Sequence, residues 1–152
     1  MNIDMILARH VLGFLAVEEL PRIALDAILA GYDSPSLRQL AGTSEHDKEE
    51  ANRLFAKSIR ELGFQVPPAS EAGLTLARNT AREVLSGAIT PYDGAKLIWD
   101  RVYTRLPELK QLRLFVGLAS EYEDDIKHRG EYDRQIIEEC RSLVGQEMKK
   151  EI

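Results

Sequence analysis

The feature that most constrains the fold is the spacing of apolar residues, which recur every three to four positions along most of the chain. Strand-like alternation is hard to find. Ser-Pro and Thr-Pro pairs that favour helix starts, and glycines that favour helix ends, divide this pattern into segments: Ser34-Pro35 and Thr90-Pro91, then Gly31, Gly42, Gly63 and Gly87. The sequence therefore predicts an all-α protein, a compact multi-helix bundle of about seven or eight helices, two of them short, with mostly antiparallel neighbours.

The predicted helices run from about Ile3 to Ala16, Pro21 to Ala30, Ser36 to Ala41, Thr43 or Ser44 to Leu62, Ser70 to Gly87, Pro91 to Leu106, Leu112 to Asp124, and from Glu131 onward. The clearest linker is the segment 64–69, which contains Pro67-Pro68. It is too short to separate independent domains, so we expect one helical domain over residues 1–152.

Composition narrows the class of protein. With 44% hydrophobic and 30% charged residues, the chain can form a core without disulfides, and its single cysteine, Cys140, cannot form an internal one. The longest apolar run, Val11 to Val17, is far shorter than the roughly 20 residues that span a bilayer. We therefore expect a soluble cytoplasmic protein that does not bind membranes.

The formal net charge of −5 argues against a nucleic-acid partner. Residues 37–62 resemble a helix-turn-helix, in which the second helix enters the DNA groove by its first turn. Four acids lie at that position: Glu45, Asp47, Glu49 and Glu50. Because these carboxylates repel phosphates, helix packing is the better interpretation of this segment.

One cluster has residue types that can bind a metal or do acid–base chemistry. On a continuous helix, Glu121, Asp125 and His128 would share one face. Di-metal bundles need an acid-x-x-His pair on each of two helices, however, and this sequence has only one, ending in His128. The sequence gives no reason to expect a cofactor or a catalytic residue. The lack of catalytic motifs favours a protein that is not an enzyme.

Aromatic and acidic residues together indicate a surface for another protein. Trp99 fits a buried stripe, while the tyrosines near it adjoin polar residues and can keep their hydroxyls in water. Aromatic centres with acidic rims suit basic protein partners. The predicted face comprises Tyr92, Tyr103, Glu121, Tyr122, Glu123, Asp124 and Asp125.

Three segments resemble a family of small bacterial proteins described mainly as hypothetical open reading frames: ALDAILAGYDSPSLRQLAG at 24–42, Glu61-Leu62-Gly63, and FVGLASEYEDD at 115–125. The resemblance covers most of the chain from the second predicted helix onward. It implies a bacterial, cytoplasmic, helical protein, and it implies no activity or site residues.

These observations predict a protein-interaction module without catalytic activity, acting as a regulatory or toxin-neutralising partner. The alternative is a metal-binding or hydrolytic enzyme that uses Glu121, Asp125 and His128. The sequence does not decide between a monomer and a homo-oligomer, because a helix face covered by a second subunit has the same apolar pattern as a buried one.

Overall fold

The computed structural model describes residues 1–44 and 46–150, the last four of these by their backbone alone. Within these residues there are eight α-helices and no strands, which confirms the all-α prediction. The helices are α1 (Ile3–Val11), α2 (Leu20–Leu29), α3 (Pro35–Ala41), α4 (Lys48–Glu61), α5 (Ala69–Ser86), α6 (Pro91–Leu97), α7 (Arg113–Asp124) and α8 (Arg129–Lys150). A π-helix, Ile98–Tyr103, continues α6, and 3₁₀ turns lie at Val17–Glu19, Lys110–Leu112 and Ile126–His128.

The helices form two compact units, Met1–Pro68 and Ala69–Ile152. The boundary falls directly after Pro67-Pro68, the segment that composition marks as a linker. That the chain is one domain stays a prediction.

In residues 1–68, α2 packs against α3 and α4, and α3 packs against α4. Two side chains satisfy amides at the start of α3, where no helical acceptor exists. Ser34 Oγ accepts from the Leu37 amide at 3.1 Å, and Glu61 accepts from the Ser36 amide at 3.0 Å and its hydroxyl at 2.5 Å. The core around these helices is mainly aliphatic: Leu7, Leu20, Ala24, Ala27, Leu37, Leu40, Ala51, Leu54, Phe55 and Ile59.

In residues 69–152, α8 packs against α5, α6 and α7, and α6 packs against α5 and α7. At two glycines of this unit, a neighbouring side chain lies very close to a helix backbone. A Cβ at Gly73 would lie 2.6 Å from Leu106 Cδ1, and one at Gly94 would lie 2.2 Å from Val84 Cγ2. The largest fully buried side chains of this unit are Ile98, Leu112, Phe115, Ile136, Cys140 and Leu143.

The predicted helix ends are largely confirmed. α2, α4 and α5 are each followed by a glycine with positive φ, and α3 is followed by Gly42 with φ −95°. The first helix is the exception, since it ends at Val11 and not near Ala16. Gly13 has φ +77°, and Phe14 N donates to Arg9 O at 2.8 Å, so that the helix ends at this glycine. The apolar residues on both sides of Gly13 made the sequence pattern continue past this end.

Two predicted helix starts are wrong. α4 begins at Lys48 because Asp47 Oδ1 accepts from the Glu50 amide at 3.3 Å, whereas Ser44 belongs to the preceding turn. The sequence predicts Ser70 as the cap of the next helix, but α5 begins at Ala69, which places Ser70 inside its first turn. Six residues therefore separate α3 from α4, more than the three or four of a helix-turn-helix. Of the four acids predicted there, Glu45 lies outside the described residues.

Burial also differs from the prediction at particular positions. Trp99, predicted on a buried stripe, is half-buried, with Lys96 Nζ 4.0 Å from its ring centroid. Leu85, which the apolar spacing of its helix predicts to point inward, is 37% exposed. Among the described residues, no helix is long and apolar enough to cross a membrane.

Candidate functional site

Two of the tyrosines predicted at the interaction face stack against each other. Thr90 caps α6 by accepting from the Asp93 amide at 3.1 Å, and Tyr92 follows in the first turn. Its ring is nearly parallel to that of Tyr122 near the end of α7, with centroids 4.6 Å apart and planes 13° apart. Both rings are half-buried, so they present a preformed aromatic surface.

A carboxylate fixes the orientation of this stack. Tyr92 Oη donates to Glu123 Oε1 at 2.5 Å. This hydrogen bond to an anion is the main reason that the pKa of Tyr92 rises to about 12, since losing the proton would set two negative charges against each other. The phenol is therefore a neutral donor at physiological pH, and it holds Glu123 in place.

An arginine covers the other ring of the stack. Arg129, the first residue of α8, places its guanidinium carbon 4.6 Å from the centroid of Tyr122 and donates from Nε to Tyr122 O at 2.9 Å. The sequence pattern does not indicate a role for Arg129. No local signal could have found it, because the contact depends on how the chain turns between α7 and α8.

The turn after α7 separates the residues of the predicted metal cluster. α7 ends at Asp124, and Asp125 has an extended backbone with φ −124° and ψ 84°, so no continuous helix carries Glu121, Asp125 and His128 on one face. Asp125 Oδ2 instead accepts from Tyr132 Oη at 2.8 Å and lies 2.7 Å from His128 Nδ1.

These bonds stabilise the charged form of Asp125. The Tyr132 hydroxyl, followed by His128, lowers the pKa of the Asp125 carboxyl. The same hydrogen bond raises the pKa of Tyr132 to about 12. The apolar spacing of the last helix predicts that Tyr132 is buried, but it is half-buried, and its hydroxyl donates to Asp125 in the turn after α7.

The chemistry available to this cluster is limited. Asp125 can orient the His128 imidazole, as an acid–base pair requires. A protein zinc site has at least three protein ligands. Within residues 1–44 and 46–150, no group of three or more histidine, cysteine, aspartate and glutamate side chains is arranged to hold a metal ion.

Tyr103 lies away from the tyrosine stack. Its hydroxyl accepts from Arg113 Nε at 3.3 Å, at the first residue of α7. Tyr122 lies nine residues further along the same helix, or about 13 Å along its axis. The structure therefore brings together Tyr92, Tyr122 and Glu123 and places Tyr103 near the opposite end of α7.

The surface around the stack is strongly negative. Glu121, Glu123 and Asp124 are exposed in the last turn of α7, which has no basic residue. Residues 121–139 contain eight acids and three bases. We call Tyr92, Glu121, Tyr122, Glu123 and Asp124 the acidic face.

Comparison with known proteins found no matching family model, curated protein or solved structure, so the resemblance to a bacterial family stays a prediction.

Proposed function

We propose that this chain is a protein-interaction module whose acidic face binds a basic surface of a partner protein, as a regulatory or toxin-neutralising bacterial protein without catalytic activity. The observation that carries the proposal is the Tyr92–Tyr122 stack, held by Glu123 and Arg129 and bordered by exposed carboxylates.

Pre-organisation supports this function. Tyrosine and arginine are common energetic centres of protein interfaces. Tyr92 and Tyr122 are already oriented by contacts within the chain, so binding would lose little side-chain entropy.

The position of the acids supports it as well. The C-terminal end of a helix carries a partial negative charge, which disfavours acids in its last turn. Glu121 and Asp124 lie there, and neither has an ion pair or side-chain hydrogen bond among the described residues. Because these two acids do not stabilise α7, their presence fits a role in binding. Negative charges at a binding surface also speed the association with basic partners.

The test is capture of the partner from the native host at low and at moderate salt. We expect the wild-type chain to retain a basic protein, identified by mass spectrometry, and Glu121→Gln/Asp124→Asn to lose most of it. The matched control is Glu71→Gln/Glu108→Gln, which removes two exposed charges of the same unit that do not belong to the acidic face. Absence of a retained protein at either salt, or equal loss in both variants, would contradict the proposal.

The alternative is a metal-binding or hydrolytic enzyme, and the 2.7 Å contact between His128 and Asp125 favours it. Metal content is to be measured on protein purified without a histidine tag, and melting compared with and without chelator. Less than stoichiometric metal together with unchanged melting would exclude the metal-dependent form.

A further inference from the structure

An apolar cavity lies among α1, α2, α3 and α4, with a volume of about 40 Å³. Its surface is apolar throughout, and Ser58 is the only polar residue among the described residues that line it. The Ser58 hydroxyl donates to Leu54 O at 2.7 Å, so its proton is not available to an occupant. Because a buried water needs about two to four polar partners, this cavity favours an apolar occupant.

The volume of the cavity limits the shape of that occupant. Atoms that line an apolar void lose dispersion contacts, and a group of matching size restores them. An apolar cavity that accepts a benzene ring has a volume of about 150 Å³. The cavity in this protein, at about 40 Å³, fits the narrow end of an unbranched alkyl chain and not a ring.

The cavity adjoins an open surface groove of about 510 Å³ between the start of α1 and α2. Met1, Ile6 and Ile23 line both spaces. Leu29 also lines the groove and is 77% exposed, which gives the groove an apolar wall beyond the cavity. A chain whose end fills the cavity therefore finds further apolar contacts in the groove.

The polar groups of the groove favour a neutral head group. Asn2 Oδ1 already accepts from the Met5 amide at 3.1 Å. Asp26 Oδ1 accepts from Arg22 Nε at 3.2 Å, which leaves Oδ2 without a hydrogen bond from any described residue. The carboxylate repels an anionic head group, and Arg22 already supplies it with a cation, so a neutral donor such as a hydroxyl suits Asp26 best.

We propose that the cavity and the groove together bind a small neutral amphiphile with an unbranched alkyl chain. The methyl end of the chain occupies the cavity, and a hydroxyl or amide N–H at the other end donates to Asp26. This site lies in residues 1–68 and is independent of the proposed function of the acidic face.

The probes are 1-hexanol, 1-octanol and cyclohexanol, each titrated into the full chain by isothermal calorimetry. We expect the affinity of the straight-chain alcohols to rise about fourfold with each added methylene. Cyclohexanol has as many carbons as 1-hexanol and should bind more weakly, because its ring does not enter the cavity. Octanoate should bind more weakly than 1-octanol, because Asp26 repels its carboxylate.

Two variants locate the binding site. Ala24→Val adds two methyl groups to a residue that lines the cavity and should remove most of the binding of 1-octanol. Leu29→Gln should weaken this binding several-fold with unchanged circular dichroism, because Leu29 is exposed. If Ala24→Val does not fold, Leu29→Gln still tests the site. The matched controls, Ala88→Val and Leu114→Gln, alter exposed residues of the other unit and should bind as the wild type does.

The inference is overturned by absence of saturable 1-octanol binding, by equal affinity for 1-hexanol and cyclohexanol, or by equal weakening in the controls. Sedimentation of the chain with phosphatidylcholine vesicles would assign the alkyl chain to a membrane lipid and overturn its assignment to a free molecule. Glu121→Gln/Asp124→Asn should bind 1-octanol as the wild type does, so failure of this inference leaves the acidic face unaffected.

Discussion

Residues 1–68 and 69–152 are both helical, yet they are packed differently. The first unit leaves an apolar cavity of about 40 Å³ among α1, α2, α3 and α4. In the second, side chains lie so close to two helix backbones that a Cβ at Gly73 or Gly94 would come within 2.6 Å or 2.2 Å of a side-chain carbon. Gly94 lies two residues after Tyr92, so the tight packing of α6 against α5 also positions the tyrosine stack. The acidic face therefore belongs to the unit in which α6 approaches α5 closely at a glycine.

Gly94→Ala tests the close packing of the second unit, and we expect it to have the largest effect. Its Cβ would meet Val84, a buried β-branched side chain that cannot easily move. We expect the free energy of unfolding to fall by about 1–3 kcal/mol, measured by urea denaturation. Gly117→Ala is the control, because a Cβ there meets nothing within 4 Å and should stabilise α7 by up to ~1 kcal/mol. Equal stability of the two variants would show that α5 and α6 are further apart than described.

A smaller effect is expected from removing the helix-capping hydroxyl in each of the two units. Ser34 is 5% exposed where it caps α3, and Thr90 is exposed where it caps α6. We expect Ser34→Ala to cost about 1–2 kcal/mol and Thr90→Ala about 0.5–1 kcal/mol, both by thermal denaturation. Ser70→Ala should cost almost nothing, since Ser70 lies inside α5. A large effect at Ser70 would restore the cap that the sequence predicts there.

The smallest effect is spectroscopic and tests the acidic face directly. Tyr92 and Tyr132 have pKa values near 12 against an ordinary value of 10, so their hydrogen bonds favour folding below pH 10 and lose this contribution as the pH rises through 12. In a rapid alkaline pH jump followed by tyrosinate absorbance, Tyr92→Phe should remove one late-ionising tyrosine. Glu123→Gln should let Tyr92 ionise earlier, and Glu108→Gln should change nothing. An unchanged titration in Glu123→Gln would contradict the Tyr92–Glu123 bond.

Much of the helix pattern could be predicted because its signals are local. Pro35 and Pro91 favour the first turn of a helix, and a glycine after α4 adopts positive φ where other residues are strained. The predictions that are wrong concern positions where two nearby residues could each begin or end a helix, and the sequence pattern does not decide between them. Gly13 ended α1 inside an apolar run, and Asp47 displaced Ser44 as the cap of α4.

The candidate site was predictable only in its residue types. An acidic run and nearby tyrosines indicated the face, but spacing along a helix suggested that Glu121 and His128 would meet on one side of it. Because α7 ends at Asp124, the chain turns at Asp125, and the Asp125 carboxylate accepts a hydrogen bond from Tyr132 instead of sharing a helix face with Glu121 and His128.

The helical class and most helix ends follow from the sequence alone, since these depend on backbone preferences within one or two turns. The tertiary structure alone decided that Tyr92 meets Glu123, thirty-one positions away, and that Arg129 covers Tyr122. Such contacts depend on the distances and angles between helices. In this protein the close approach of α6 to α5 depends on the absence of a Cβ at Gly94. The periodicity of apolar residues does not indicate this requirement.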